Sequence, residues 1–386
     1  MLWAAGVFPL AALAMPESGD STGVVHRIEA EVVPGVVLHT NKYLKGDNPE
    51  VRTMNHSFVT RLKYAFSPPE GSEQAQIYKG VYQGVGISYH DINPQLGNPV
   101  SVYLFQGATV KTLTERLSLN YEWDFGLTYG WKSYNPKTNP ENHVIGSKAT
   151  AYIDLGFYLR WLLSPEWDLN VGATVTHYSN GNTSIPNAGL NVLGLKAGVA
   201  YYINRTDQRV RPSKVPAFDK YWGYDLTLYG AWKRKGIDSE NGSYAVPGTY
   251  GVFGFNLNPL YHLNHWLNLG ASLDGSYDES AGLELSPEAL KGDPWNISQD
   301  DVSKLDWYRR IALGISARAE FVMPYFTINV GIGHNILNTQ VNDLNGFYEI
   351  LALKIGLSRK TYLHIGYSLY DFYYPNNLML GLGLHL

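Results

Sequence analysis

The chain has 386 residues, a formal net charge of −4 and no cysteine, which excludes thiol catalysis, Cys-ligated metal and a lipid-anchored Cys. No block of about five consecutive Lys/Arg occurs, so nothing points to a nucleic-acid partner. Charged residues make up only 17%, against roughly 25% in soluble domains, yet no helix-length apolar run follows the N-terminus, so a helical membrane protein does not fit either.

The first element is an apolar run from Leu2 that ends Ala12-Leu13-Ala14. Its length and small-x-small ending predict a signal peptide over 1–14 and a mature protein over 15–386. After it, apolar and polar residues alternate with period two. About sixteen such segments follow, near 27–41, 54–67, 78–92, 97–109, 115–130, 148–163, 166–179, 189–204, 220–235, 245–260, 264–276, 306–322, 324–336, 345–358, 361–370 and 376–386. In the last, Leu378, Leu380, Leu382, Leu384 and Leu386 share one face, while Asn377, Met379, Gly381, Gly383 and His385 share the other. Likewise Leu351, Leu353, Ile355 and Leu357 oppose Ala352, Lys354, Gly356 and Ser358, and Leu228 opposes Lys233. Lipid outside and lumen inside require this division.

Connections alternate in length. Short turns are expected at Ser164-Pro165, Tyr261-His262, Pro324 and Arg359-Lys360, and longer links at 42–53, 131–147, 180–188, 237–244, 277–305 and 337–344. Short turns on one side and long loops on the other match an outer-membrane barrel, although links 68–77 and 205–219 are long on the short-turn side. The expectation is an all-β, transmembrane, antiparallel up-and-down barrel of about 14–16 strands, or two tandem barrels of about eight divided at 205–219. Such a chain is delivered by the outer-membrane assembly machinery.

Polar side chains intrude on one apolar row. Leu169, Val171, Ala173 and Val175 run in phase into His177 and Ser179, so a His and a Ser lie on the lipid-facing side. Asn191 is in phase with Leu193, Leu195 and Ala197 on the next segment, and a hairpin centred near Ser184 sets it opposite His177. From Trp167 to Tyr178 the strand rises about 36 Å, or about 26 Å vertically at a tilt near 45°, close to the height of the apolar band. The cluster therefore sits at an interface. His90, His334 and the loop acids Glu284, Glu288, Asp300 and Asp301 are read as lumen, interfacial or solvated residues.

Residues 177–191 resemble the PagL-type lipid A 3-O-deacylase (acyloxyacyl hydrolase) family, whose signature is His-x-Ser-Asn, a Pro-Asn about seven residues on, then a Gly. Here these are His177, Ser179, Asn180, Pro186, Asn187 and Gly189. The likeness runs from roughly Gly80 to Ile203, through Leu96-Gly97-Asn98-Pro99 and Ile145-Gly146-Ser147. It implies a serine esterase acting on an acyl ester of lipopolysaccharide in the outer leaflet. Ser179 is then the nucleophile, His177 its base, and Asn187 an oxyanion donor beside a backbone N–H near Gly181 or Asn182. No metal or cofactor is implied. Two positions depart from the family: Asn182 replaces Gly, and Asn191 replaces a Glu. An Asn carbonyl orients the imidazole but carries no charge, and such an exchange in a Ser triad costs up to about 10⁴ in rate. The rival readings are a porin or apolar-substrate channel and a structural barrel with a degenerate site.

Overall fold

The computed structural model describes residues 23–69, 72–205, 215–239, 242–291, 297–372 and 374–386. The expected leader at 1–14 and positions 206–214 of the central link lie outside the described residues.

The first sheet comprises β1 (Val25–Leu38), β2 (His56–Ser67), β3 (Tyr82–Asp91), β4 (Val100–Thr112), β5 (Leu117–Tyr129), β6 (Ala149–Leu162), β7 (Trp167–Ser179) and β8 (Leu190–Tyr202). Each strand pairs antiparallel with the next, and β8 returns to β1 through Leu38↔Asn191 to Arg27↔Tyr202, closing a barrel. Short helices α1 (Lys42–Lys45) and α2 (Glu73–Ile77) occupy links in this half. The second half repeats the plan. It contains β9 (Tyr221–Lys233), a loop hairpin β10 (Gly236–Ser239) and β11 (Gly242–Ala245), then β12 (Tyr250–Asn264) and β13 (Leu267–Asp278). A second small hairpin, β14 (Glu284–Leu285) with β15 (Val302–Ser303), precedes β16 (Ile311–Val322), β17 (Phe326–Asn335), β18 (Phe347–Gly356), β19 (Thr361–Tyr370) and β20 (Tyr374–His385). β20 pairs with β9 and closes a second eight-stranded barrel.

Of the two expected arrangements, the tandem pair of eight-stranded barrels divided near 205–219 is the one formed, and every predicted strand occurs with its ends shifted by at most about five residues. The alternation that identifies each strand is the same in either arrangement. Which strand meets β1 is decided by shear and closure, which period-two patterning does not encode. One turn also moves. The chain reverses at His265-Trp266 rather than Tyr261-His262, because β12 continues past a register shift between His262 and Asn264.

The phases hold in both barrels. Leu228, Leu351, Leu380, Leu382 and Leu384 are exposed outside, whereas Asn377, Met379, Ala352, Lys354 and Lys233 are buried inside. An interior of eight strands is only wide enough for side chains, and here it is filled by paired charges. In the first barrel Lys63 lies 2.6 Å from Glu31 and 2.9 Å from Glu122, and Lys196 lies 2.7 Å from Glu122. Arg61 meets Asp154 at 2.9 Å. In the second, Lys354 bridges Asp225 at 2.7 Å and Glu320, while Arg318 meets Asp274 at 2.7 Å. Each cation has carboxylate partners in reach, which limits the desolvation cost of enclosing it.

The barrels touch along a seam where outward residues are not exposed. Gln106, Ala108 and Trp123 point outward from β4 and β5 yet are buried. Trp123 meets the edge of Phe326 at 5.2 Å and 88°, beside Met323 and Leu353. Its indole N–H donates to Gln106 Oε1 at 2.7 Å. Leu353, expected to face lipid, faces outward but against the other barrel. Where a lipid tail is as apolar as a side chain, such contacts gain from close packing rather than from water release.

A charge on the outer belt tests this assignment. Leu228→Arg, at mid-strand, is expected to cost about 2–4 kcal/mol, while Leu386→Arg, beyond the end of β20, costs about 0–1 kcal/mol. Urea titration in micelles, read by heat-modifiable migration, measures both. Equal costs would place Leu228 off the lipid face.

Candidate active site

β7 carries its apolar row, Val171 and Val175, outward and ends in His177 and Ser179 on the same side, both partly exposed. The register of β7 with β8 sets His177 directly opposite Asn191. His177 Nδ1 lies 2.7 Å from Asn191 Oδ1, so with the amide oxygen as acceptor the ring carries its proton on Nδ1 and leaves Nε2 free. The Ser179 hydroxyl has no hydrogen-bond partner among the described residues. A resting-state nucleophile and base commonly tighten only around substrate.

The residue between them faces the other way. Tyr178 is buried in the lumen, its hydroxyl 2.9 Å from His90 Nδ1 and its ring edge-on to Trp131 at 5.2 Å. His90 Nε2 in turn lies 2.7 Å from Ser101 Oγ and 2.9 Å from Ser88 Oγ. The outward pair is thus anchored from inside by a polar cluster drawn from β3, β4 and β7. Sequence reading placed His90 in the lumen or at an interface but gave it no partner. The partner sits 88 residues away, and only closure brings it near.

Beyond β7 the chain turns through Gly181 and Asn182, both left-handed with φ of 63° and 62°. Glycine and asparagine are the residues that visit this region most readily. Among the described residues the N–H groups of Gly181 and Asn182 have no acceptor. Asn187 folds back so that its Oδ1 accepts the Asn180 N–H at 3.0 Å, which turns its amide nitrogen toward Asn182 Oδ1 at 3.3 Å. Asn180 itself donates from Nδ2 to the Ser184 carbonyl at 3.0 Å. Pro186 abuts the loop before β6, where a Cβ on Gly146 would lie 2.1 Å from the Pro186 carbonyl oxygen. Gly189 is left-handed at φ 72°, and a Cβ there would lie 3.1 Å from His177 Cε1.

All nine motif and site residues singled out in the sequence therefore share this one turn and its two strands. Missed were the anchors Tyr178 and His90, and the contacts the turn makes with the second barrel. Asn182 Nδ2 donates to the carbonyls of Pro375 at 2.8 Å and Asn376 at 3.3 Å, and Arg234 N–H donates to Asn182 O at 2.9 Å. The other candidates lie elsewhere. His334 is exposed on the outer face of β17, edge-on to Phe347 at 5.2 Å. Asp301 accepts from the N–H and hydroxyl of Ser298, at 2.8 and 2.9 Å, which holds its carboxyl below the usual range.

Residues 59–200 match the family described as lipid A 3-O-deacylase (PagL), and residues 222–386 match the acyloxyacyl hydrolase C-terminal domain. No curated protein matches the chain. Among solved structures it is similar to Neisserial surface protein A, at 11% identity over 48% of this chain and 99% of that one, with a TM-score of 0.30. The outer membrane enzyme PagL is 14% identical over 45% of this chain and 97% of that one, also at 0.30. A mutant of the monoaromatic hydrocarbon channel TodX is 8% identical over 95% and 89%, at 0.19. Likeness at this level bears on neither activity nor partner.

Gly189→Ala tests the local packing. A left-handed alanine costs about 1–2 kcal/mol, and its methyl group must displace the His177 ring. The expected result is a small loss of stability together with a shifted His177 Cε1–H resonance. An unmoved resonance would mean that Gly189 does not set the ring's position.

Proposed function

The chain belongs to the lipid A 3-O-deacylase (PagL) family, and from that premise we propose that it hydrolyses an ester-linked acyl chain of lipid A on the outer face of its first barrel. It is an outer-membrane β-barrel, so the substrate is a lipid of the leaflet that bathes that face. One observation carries the reading: the 2.7 Å contact of His177 Nδ1 with Asn191 Oδ1, on the outward side and close to the Ser179 hydroxyl, which has no partner among the described residues.

Ser179 Oγ attacks the ester carbonyl carbon while His177 Nε2 takes its proton. The oxyanion is met by Asn187 Nδ2 and by the N–H groups of Gly181 and Asn182. Collapse breaks the bond to the sugar oxygen, which receives the proton from His177, and leaves an acyl-serine. Water, deprotonated by the same imidazole, then attacks the acyl-serine, releasing the fatty acid and restoring Ser179. Asn191 holds the ring in the right tautomer but adds no negative charge to steady the imidazolium, which favours a slow enzyme. Prior insertion by the outer-membrane assembly machinery is part of this reading.

The channel reading loses its basis. It needed about sixteen strands around an aqueous lumen, whereas the strands form two eight-stranded barrels filled by ion pairs. A site on the outer wall also has no use for a solute that crosses through the middle.

Mass spectrometry of lipid A from cells with and without the protein tests the proposal. Ser179→Ala and His177→Ala are each expected to abolish fatty-acid release while heat-modifiable migration persists. The double variant should be little worse than either, because the two side chains act as a unit. Asn191→Ala should be milder, and Asn191→Glu faster than the unmodified protein. Undiminished release from Ser179→Ala would sink the hydrolase.

A further inference from the structure

The turn after Ser179 is held by the other barrel. Asn182, where the family pattern has Gly, donates its side-chain amide to the carbonyls of Pro375 and Asn376 at 2.8 and 3.3 Å, at the start of β20. Its own carbonyl accepts the N–H of Arg234 at 2.9 Å, just past the end of β9. Leu378 lies against Gly181, so closely that a Cβ there would come within 2.7 Å of Leu378 Cδ2. The start of β20 is itself fixed, since Lys233 Nζ reaches Asn376 Oδ1 at 2.9 Å while paired with Asp278 at 2.5 Å. Neither residue needs outside support to be left-handed, since glycine and asparagine adopt that region readily, so what these contacts add is a fixed position for the turn. Here the backbone acceptor, the side-chain donor and the glycine flank of that pair are each met by β9 or β20.

We propose that the second barrel is a working part of the active site: Leu378 and the carbonyls of Pro375 and Asn376 position the Gly181–Asn182 turn so that its N–H groups stay free for the ester oxygen. Asn182 Oδ1 also receives Asn187 Nδ2 at 3.3 Å. The strap therefore reaches both kinds of oxyanion donor through a single side chain. Leu378 and Asn376 are positioning residues, and they act through a rigid turn rather than on the substrate. The inference rests on the deacylase reading, and it gives the second barrel a role that an independent membrane anchor would not have.

The test uses full-length protein in mixed micelles with purified lipopolysaccharide. Asn182→Gly keeps the backbone N–H and tolerates the left-handed conformation but cuts the strap. Leu378→Ala removes the wall behind Gly181, and Leu378→Met keeps it. A donor that is loosened rather than lost should cost less than the roughly 10²–10³ of outright removal. Asn182→Gly and Leu378→Ala are therefore each expected to lower kcat by about tenfold or more, with KM changed little and with slower labelling of Ser179 by an alkyl fluorophosphonate. Leu378→Met should retain activity, and the double variant should be little worse than either single one. Folded variants with unchanged kcat and labelling would overturn the proposal. If Leu378→Ala fails to fold, Asn182→Gly, confined to a loop, decides. Failure of the deacylase reading looks different: the unmodified protein itself neither releases fatty acid nor labels at Ser179, and the inference falls with it.

Discussion

A backbone surrounded by hydrocarbon must satisfy its own N–H and C=O groups, and in a sheet this is possible only if the sheet closes on itself. In this chain closure comes at eight strands, twice. That number decides where chemistry can be placed. An eight-stranded interior has room for side chains and little else, so Arg61, Lys63 and Lys196 on one side, and Arg318 and Lys354 on the other, are locked among carboxylates. The middle of each barrel is thereby removed as a reaction site. There remains the outer wall, and a polar group survives there only where the apolar belt gives way to the lipid headgroups.

His177 and Ser179 close the outward row of β7 at its C-terminal end, and strand phase puts them there. The period of two that sends Val171 and Val175 outward sends them outward as well, and sends Tyr178 into the lumen against His90. A strand tip that carries the proposed nucleophile and base on one side is thus moored on the other by a residue buried in the lumen. The hairpin register completes the pair by setting Asn191 beside the imidazole.

These features were legible in the sequence because they are local. Alternation fixes which side a residue faces, centring the 180–188 link near Ser184 sets Asn191 opposite His177, and the His-x-Ser-Asn run with its later Pro-Asn places the turn residues. The features that escaped sequence reading are non-local. The meeting of β8 with β1 and of β20 with β9 depends on closure, which identical alternation leaves open. The covered side of Trp123 and Gln106 looks like any lipid-facing row until a second barrel is set against it. Asn182 reads as a backbone oxyanion donor standing where the family has Gly, and nothing near it announces a side-chain partner 193 residues away. The misplaced turn at Tyr261-His262 has a smaller cause, a register irregularity that lets β12 run on toward His265.

The strand that touches the turn after Ser179 is also the one whose pairing with β9 shuts the second barrel. Its opening residues reach Asn182 only once that strand has found its place. During insertion the first barrel can be sealed, with His177 already beside Asn191, while the neighbouring turn still lacks its outside support. Competence to act on the surrounding leaflet would then arrive last, as a sign that assembly has finished. On the proposed deacylase reading, a site completed only by the closing strand of the second barrel would leave half-built copies unable to attack the leaflet around them.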